Sequence, residues 1–265
     1  MTAAPLVSMV MPCFQQVAFV EEAVRSVLDQ QTVAVELLVM DPGSTDGSRA
    51  LLEGLKPLYG ERLRLYFAPD RGQSDAINRG MALARGRILG WLNSDDRLRP
   101  GALDLVVGAL VGDQPAWLYG QVGMIDENGL EIAGLISRYK TMRGRRFSFA
   151  KLLTENFISQ MGVFWNRAMW EAAGGLDPDR HLDMDYDLWL RYARVAPPVV
   201  VAARLADFRV HHQAKGSRRT GEQLAAAFLT AQKHAGDLGC RGRVALLVHR
   251  LLSWRTRLLY HWLKP

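Results

Sequence analysis

The chain has 265 residues, 49% apolar and 23% charged, enough for one large α/β domain or two small ones and unlike a disordered polymer. Its net charge of +6 sits at one end: residues 241–265 carry six of the 33 basic residues and none of the 27 acidic ones. A balanced body argues against a nucleic-acid-binding domain, and the two distant cysteines, Cys13 and Cys240, fit a reducing compartment and form no metal-type spacing.

The first charge is Glu21, but the stretch before it lacks a basic segment and carries Pro5, Pro12 and Gln15-Gln16. It is expected to be neither a secretion signal nor a membrane span, and no other segment approaches transmembrane length. Leu6–Met11 reads as a strand ended by Pro12. Phe19–Leu28 repeats apolar residues at helical spacing, with Glu21-Glu22 in its first turn. Val35–Met40 is a second strand, followed by the loop Asp41–Gly47 and a helix to about Leu58. Leu63–Phe67 is a third strand and Gln73–Ala84 a helix. Ile88, Leu89, Trp91 and Leu92 then make a short apolar run, as in a strand buried on both faces. It stops at Asn93-Ser94-Asp95-Asp96. Strands alternating with helices in this way predict right-handed βαβ units and a parallel sheet.

A helix over Gly101–Val111 follows, and then the pattern changes. Trp117–Ile125 and Leu130–Ile136 flank Asp126-Glu127-Asn128-Gly129, which predicts a hairpin. Arg138–Phe149 is basic and is expected to be irregular and exposed. Met161–Trp165 reads as a strand, Arg167–Ala173 as a helix ended by Gly174-Gly175, and a helix starts at Asp185. Val199–Arg209 is strand-like, His211–Thr220 a loop, and two helices, about Glu222–Gly236 and Arg243–Leu263, finish the chain. There is no internal repeat.

Neither phosphate-binding glycine loop, G-x-x-x-x-G-K-[ST] or G-x-G-x-x-G, is present, and no local spacing suggests a Ser-His-Asp or Cys-His set. What remains is a series of acids at strand ends: Asp41, Asp70, Asp95 and Asp96, with Asp185 further on. Successive C-terminal strand ends of one sheet open on a single crevice. Carboxylates there are hard oxygen ligands suited to Mg²⁺ or Mn²⁺, which in turn can hold phosphate oxygens. The rival reading is that Asp95 and Asp96 merely cap a helix or solvate a turn.

Four stretches together carry a resemblance: Pro12-Cys13-Phe14-Gln15-Gln16, Asp41–Gly47, Asp70–Asn78 and Trp91–Asp96. It continues through Gly174-Gly175-Leu176-Asp177, Met184–Trp189 and Phe208-Arg209-Val210-His211. In this order, over roughly residues 6–216, the chain resembles the family-2 inverting glycosyltransferases of the GT-A fold. The resemblance implies an α/β architecture with a mostly parallel open sheet, a nucleotide-sugar half over about 1–115 and an acceptor half over 116–220. A helical extension over 221–265 would follow.

By the same resemblance, Asp41 would recognise the nucleotide base with Arg71 nearby, and Pro12, Phe14, Gln73, Asn93 and Ser94 would line the donor site. Asp95 and Asp96 would hold Mn²⁺ or Mg²⁺ against the diphosphate, with His211 closing over it and Lys215 adding positive charge. Asp185 would be the general base. Three departures are visible: Pro42 replaces a second Asp, Asn93 the first acid of an Asp-x-Asp, and Met184 a common Glu. The absent Gln-x-x-Arg-Trp motif favours one sugar per binding event.

The expected reaction is inverting transfer from a nucleotide-diphosphate sugar, UDP-sugar favoured, to a hydroxyl of a glycan or lipid-linked saccharide. A metal would stabilise the leaving diphosphate while a carboxylate deprotonates the acceptor. The rivals are a nucleotidyltransferase, whose usual Gly-rich basic loop after strand one is replaced here by Pro12–Gln16, and an inactive sugar-nucleotide-binding protein. Asp187 reads as a first-turn helix acid, His212 as a loop histidine, and Trp91 and Trp189 as core.

In the last helix Val244, Leu247, Val248, Leu251, Leu252, Leu258, Leu259 and Trp262 share one half of the wheel. Arg243, Arg250, Arg257, His249, His261 and Lys264 share the other. Such a helix suits an anionic membrane surface, or packs its stripe on the body. The expected location is cytoplasmic, with peripheral membrane attachment through 241–265.

Overall fold

The computed structural model describes residues 5–30, 32–132, 134–212 and 220–263. Three strand–helix units and a fourth strand open the chain. They are β1 (Val7–Pro12), α1 (Val20–Leu28), β2 (Val35–Asp41), α2 (Ser48–Tyr59), β3 (Leu63–Phe67), α3 (Gln73–Leu83) and β4 (Ile88–Trp91). The apolar runs of β1, β2 and β4 arise because their side chains alternate between two cores. Val7, Met9, Met11, Leu37, Val39 and Ile88 join the core with α1 and α2. Val10, Leu38, Met40, Leu89 and Trp91 join the core with α3 on the opposite face.

Beyond β4 come β5 (Arg97–Leu98), α4 (Ala102–Ala109), β6 (Trp117–Ile125), α5 (Gly134–Gly144), α6 (Phe149–Thr154), β7 (Val163–Asn166) and α7 (Arg167–Ala173). The chain ends with α8 (Met184–Val195), β8 (Val199–Arg209), α9 (Thr220–Ala235) and α10 (Gly239–Leu263). One eight-stranded sheet runs through both halves in the order β3-β2-β1-β4-β7-β6-β8-β5. It is parallel from β3 to β4, and β7 enters antiparallel between β4 and β6. The chain steps outward from β1 to β3 and then returns to β1's other side as β4. That reversal leaves a crevice at the C-terminal ends of β1 and β4, the usual place for a ligand in an open α/β sheet.

Two expectations fail after β6. The Asp126–Gly129 turn forms, with the Asn128 and Leu130 amides donating to Asp126 Oδ1 at 2.9 and 2.8 Å. The second hairpin strand does not extend over Leu130–Ile136: among the described residues Glu131 bridges Ile125, the Ile132 amide donates to the Met124 carbonyl at 2.9 Å, and a helix starts at Gly134. β8 takes one edge of β6 along Gln121–Ile125, and the chain from Gly134 packs across β6 as α5. For the same reason the expectation for Arg138–Phe149 fails in part: 138–144 is helical, while 145–148 stays irregular and Arg138, Arg145 and Arg146 are exposed. Helical geometry turns Tyr139, Lys140 and Arg143 inward, onto Glu155, Ser159 and Thr154.

Beneath the crevice lies an aromatic stack. Trp189 of α8 lies nearly parallel to Trp91 of β4, centroids 5.6 Å apart, and to Trp117 of β6 at 6.0 Å. Trp165 and Tyr192 pack edge-on to the group. Each such pair adds about 0.5–1.5 kcal/mol beyond its burial, so α8 is held firmly on the sheet. Trp91 and Trp189 are core, as expected. Asp187 is structural too: buried, it pairs with Arg191 at 2.9 Å and His234 at 3.1 Å and ties α8 to α9.

Candidate functional site

The crevice is a cavity of about 970 Å³ walled by the ends of β1 and β4, the start of α8, and residues of α9 and α10. Its lining unites most residues expected on the donor: Pro12, Phe14, Gln73, Asn93, Ser94 and Asp95, with Asp185 on the same cavity. Lys215 lies outside the described residues.

Asp41 ends β2 and is buried just beneath Met40 and Pro42 of the wall. Its Oδ1 accepts from the Gly43 and Ser44 amides, both at 2.8 Å, and from Arg49 Nε at 3.2 Å. Burial pushes this carboxyl up, but those donors outweigh it and hold it below the ordinary carboxylate range. Its Oδ2 is buried with no hydrogen-bond partner in the structure. A buried acceptor costs about 1–3 kcal/mol unless something donates to it, so this oxygen suits a ligand N–H.

Arg71 departs from its expected place beside Asp41. Its side chain is 77% exposed and pairs with Asp75 at 3.4 Å, outside the cavity lining. Asp75 lies one helical turn on, and its carboxylate also accepts the Arg71 amide, so the arginine folds back on its own turn.

The paired acids after β4 divide their work. Asp96 is buried and turned away from the cavity, with Oδ1 accepting the Arg209 amide at 2.9 Å and Oδ2 accepting from Asn93 at 3.2 Å. Burial and the neighbouring Asp95 charge push its carboxyl well above the ordinary range. Asp95 faces the cavity instead, its Oδ2 lying 3.1 Å from Nε2 of buried His211. Arg209 fixes the turn, donating to the carbonyls of Asp95 (2.8 Å) and Asp126 (3.0 Å) and pairing with Glu22. Asn93 accepts from Gln73 at 2.8 Å while donating to Asp96, a two-way bridge that an acid at position 93 could not make.

Among the described residues no three His, Cys, Asp or Glu side chains converge as a ready metal cage. The donor set still fits a hard divalent ion: one cavity-facing carboxylate with an imidazole beside it, a thin protein shell that substrate phosphates and water complete. Such binding at Nε2 requires the tautomer with that nitrogen unprotonated.

Three acids stand at the start of α8, and among the described residues only one is uncommitted to a salt bridge. Asp183 is held by Arg180 at 2.9 Å and by Thr230, and Asp187 by Arg191 and His234. Asp185 accepts the Tyr186 amide at 2.7 Å and faces the cavity. Burial raises its carboxyl above the ordinary range, against the amide and Lys140, which lower it. A carboxyl raised in this way is poised for proton transfer. The loop before α8 is pinned from both sides. Asn78 of α3 exchanges two bonds with the Leu176 backbone, at 2.8 and 2.9 Å, and Arg191 gathers the carbonyls of Ala173, Gly174 and Gly175. Gly174, at φ 76°, makes the turn that permits this.

The sequence reading missed the wall opposite, formed by Lys140, Glu155, Asn156, Ser159 and Gln160. Lys140 Nζ donates to Ser159 at 3.2 Å, and burial lowers its ammonium from the ordinary value. Nothing in its sequence pattern marked this wall, because 138–160 shows no clean apolar period.

Residues 8–172 match the sequence model of Glycosyl transferase family 2. An uncharacterized glycosyltransferase of Mycobacterium tuberculosis is 31% identical over 217 residues, covering 78% of this chain and 76% of that protein. One of Rickettsia felis is 26% identical over 229 residues, covering 81% of this chain but 36% of its own length. The chain thus spans little more than a third of that longer relative. Among solved structures, the mannosyltransferase PcManGT of Pyrobaculum calidifontis, in complex with GDP-Man and Mn²⁺, superposes with a TM-score of 0.67 at 16% identity. The match covers 94% of this chain and 74% of that one. S. aureus TarS 1–349 in complex with UDP-GlcNAc gives 0.63 at 13% identity, covering 86% and 66%. At these identities the likeness shows the fold, which is the GT-A arrangement.

Proposed function

The chain belongs to Glycosyl transferase family 2, and on that premise we propose that it transfers one sugar, with inversion, from a nucleotide-diphosphate sugar to a hydroxyl of a glycan or lipid-linked saccharide. The observation that carries this is Asp95 and Asp185 on one cavity, the first beside His211 and the second with no salt bridge among the described residues. Asp41 Oδ2, buried without a donor, takes an N–H of the base, which uracil and guanine both offer, and the donor proposed is a UDP-sugar. Pro12, Phe14 and Gln73 shape the nucleotide's path. TarS with UDP-GlcNAc and PcManGT with GDP-Man support a nucleotide-sugar donor in this fold.

Asp95 and His211 would hold Mn²⁺ or Mg²⁺, which when bound supplies positive charge to the leaving diphosphate. Asp96 serves from behind, fixing the turn through Arg209 and Asn93. Asp185 accepts the proton of the attacking hydroxyl, which approaches the anomeric carbon from the face opposite the diphosphate and inverts its configuration. Residues of α8, α9 and α10 line the cavity beside Asp185 and limit the water that competes with the acceptor.

Membrane attachment is proposed at α10. Among the described residues no helix is long and apolar enough to cross a membrane. The expected stripe does not pack on the body as a unit, and His249, expected on the polar half, turns inward instead. Ala245 and His249 are buried on the body, His249 Nδ1 donating to the Leu153 carbonyl at 2.9 Å. Val244, Leu247, Leu251 and Trp254 are each 60% exposed or more, and with Arg241, Arg243 and Arg250 they suit an anionic lipid interface.

The test is thermal. In the presence of Mn²⁺ one nucleotide-sugar of a panel should raise the melting temperature, by about 2.7 kcal/mol of added stability at a hundredfold excess over its Kd. No shift with any nucleotide-sugar, with or without metal, would end the donor reading.

A further inference from the structure

α10 separates two hollows. On one side Leu252, Ser253 and Thr256 help close the cavity that holds Asp185. On the other, α10 forms with α5 and α6 an open groove of about 780 Å³. Thr154 and Leu252 line both, so the groove and the cavity share a wall.

The groove has a mixed character. Its floor is apolar, from Ala245, Val248 and Leu252, with Ala150 and Val244 at the exposed rim, while its lining holds four cations, Arg143, Lys151, Arg241 and Arg255, and no carboxylate. Arg143 is balanced from beneath by Glu155 at 3.3 Å, and Arg255 lies against Tyr139. Burial, with Arg143 and Arg146 nearby, lowers the Lys151 ammonium, so an anion placed there would relieve crowded positive charge. A free anion needs no apolar floor. A protein partner's interface core would be depleted of such charge. A hydrocarbon chain carrying an anionic head satisfies both halves, and the exposed stripe of Val244, Leu247, Leu251 and Trp254 runs alongside on the same helix.

We propose that this groove seats a lipid phosphate, its head among the four cations and its first chain segment along the floor. A group linked to that phosphate then reaches the cavity past Thr154. The site identifies the acceptor as a membrane-borne lipid-phosphate conjugate, and this last step rests on the transfer reading above.

Dodecyl phosphate, kept below its micelle concentration, is the probe, with the full-length chain and intrinsic tryptophan fluorescence as the readout. Saturable binding is expected, weakened about tenfold or more by Lys151→Glu with Arg241→Glu, since each basic residue contributes roughly fivefold near an anionic head. Val244→Trp, at a 62% exposed position that fills the groove, should weaken it without a change in melting temperature. Inorganic phosphate binding as tightly as dodecyl phosphate would overturn the proposal. So would undiminished dodecyl phosphate binding in both variants, or equal gain from phosphatidylglycerol vesicles and from the probe in every variant. Nucleotide-sugar stabilisation is measured in the same samples. Its absence sinks the donor reading and leaves the groove result standing, while its presence with no dodecyl phosphate binding sinks the groove alone.

Discussion

Asp185→Asn separates catalysis from structure more sharply than other single changes in this chain. The amide keeps the size and the oxygen that accepts the Tyr186 N–H at 2.7 Å, so α8 keeps its first turn. What is lost is the base. General-base catalysis contributes about 10²–10⁴ in rate, equal to about 2.7–5.4 kcal/mol of barrier, so turnover should fall by at least a hundredfold with donor affinity unchanged. Stability should move the other way. Burial raises the Asp185 carboxyl in the folded state, so its favourable contribution is complete below the unfolded value and is lost as pH rises through the folded one. At neutral pH the ionised group is therefore a cost, and Asp185→Asn should melt no lower than the parent, with the difference closing in acid. Wild-type turnover should correspondingly rise with pH through the raised value and then level off. The assays are single-turnover transfer, nucleotide affinity and melting across pH. Near-normal turnover in the variant would refute the assignment, and a donor affinity falling in step with turnover would show a collapsed site instead of a missing base.

Asp41→Asn should cost about tenfold or more in nucleotide affinity by calorimetry, because a hydrogen bond to a charged oxygen contributes roughly 1.5–3 kcal/mol; unchanged affinity would remove Asp41 from base recognition. Asp95→Ala and Asp96→Ala should part company. The first should abolish stimulation of nucleotide binding by Mn²⁺ at nearly unchanged stability, and the second should cost about 1–3 kcal/mol in urea unfolding by orphaning the buried Arg209 amide. Identical behaviour of the two would contradict the division of labour. Leu251→Glu with Trp254→Glu should abolish sedimentation with anionic vesicles without lowering the melting temperature, both side chains being exposed; sedimentation equal to the parent would place membrane contact elsewhere.

The nucleotide half was legible because its physics is local. Strands buried on both faces read as unbroken apolar runs, and β1, β2 and β4 fall within a residue of where the sequence reading puts them; in the acceptor half the strands Trp117–Ile125 and Val199–Arg209 and the helix Arg167–Ala173 match as well. The acids at strand ends were legible for the same reason, since a parallel sheet brings its C-terminal ends together. What sequence cannot carry is orientation. Asp95 and Asp96 are adjacent letters, yet the Arg209 amide draws one carboxylate inward and leaves the other on the cavity. Arg71 is within motif distance of the base pocket, yet Asp75 one turn on holds it outside. The failed hairpin shows a tertiary override: the Asn-Gly turn is real, but β8 occupies an edge of β6 and helix α5 packs across the strand. The wall of Lys140 to Gln160 was illegible because its residues meet only through α5 and α6.

The central claim, sugar transfer from a nucleotide-sugar, is most directly tested by what leaves the donor. Incubation with the nucleotide-sugar that stabilises the protein, Mn²⁺ and a lipid-linked saccharide should release free nucleoside diphosphate in step with glycosylated acceptor, and Asp185→Asn should abolish both. Pyrophosphate formation would instead mark a nucleotidyltransferase, and binding with neither product across the donor panel would mark a protein that holds nucleotide-sugars without turning them over.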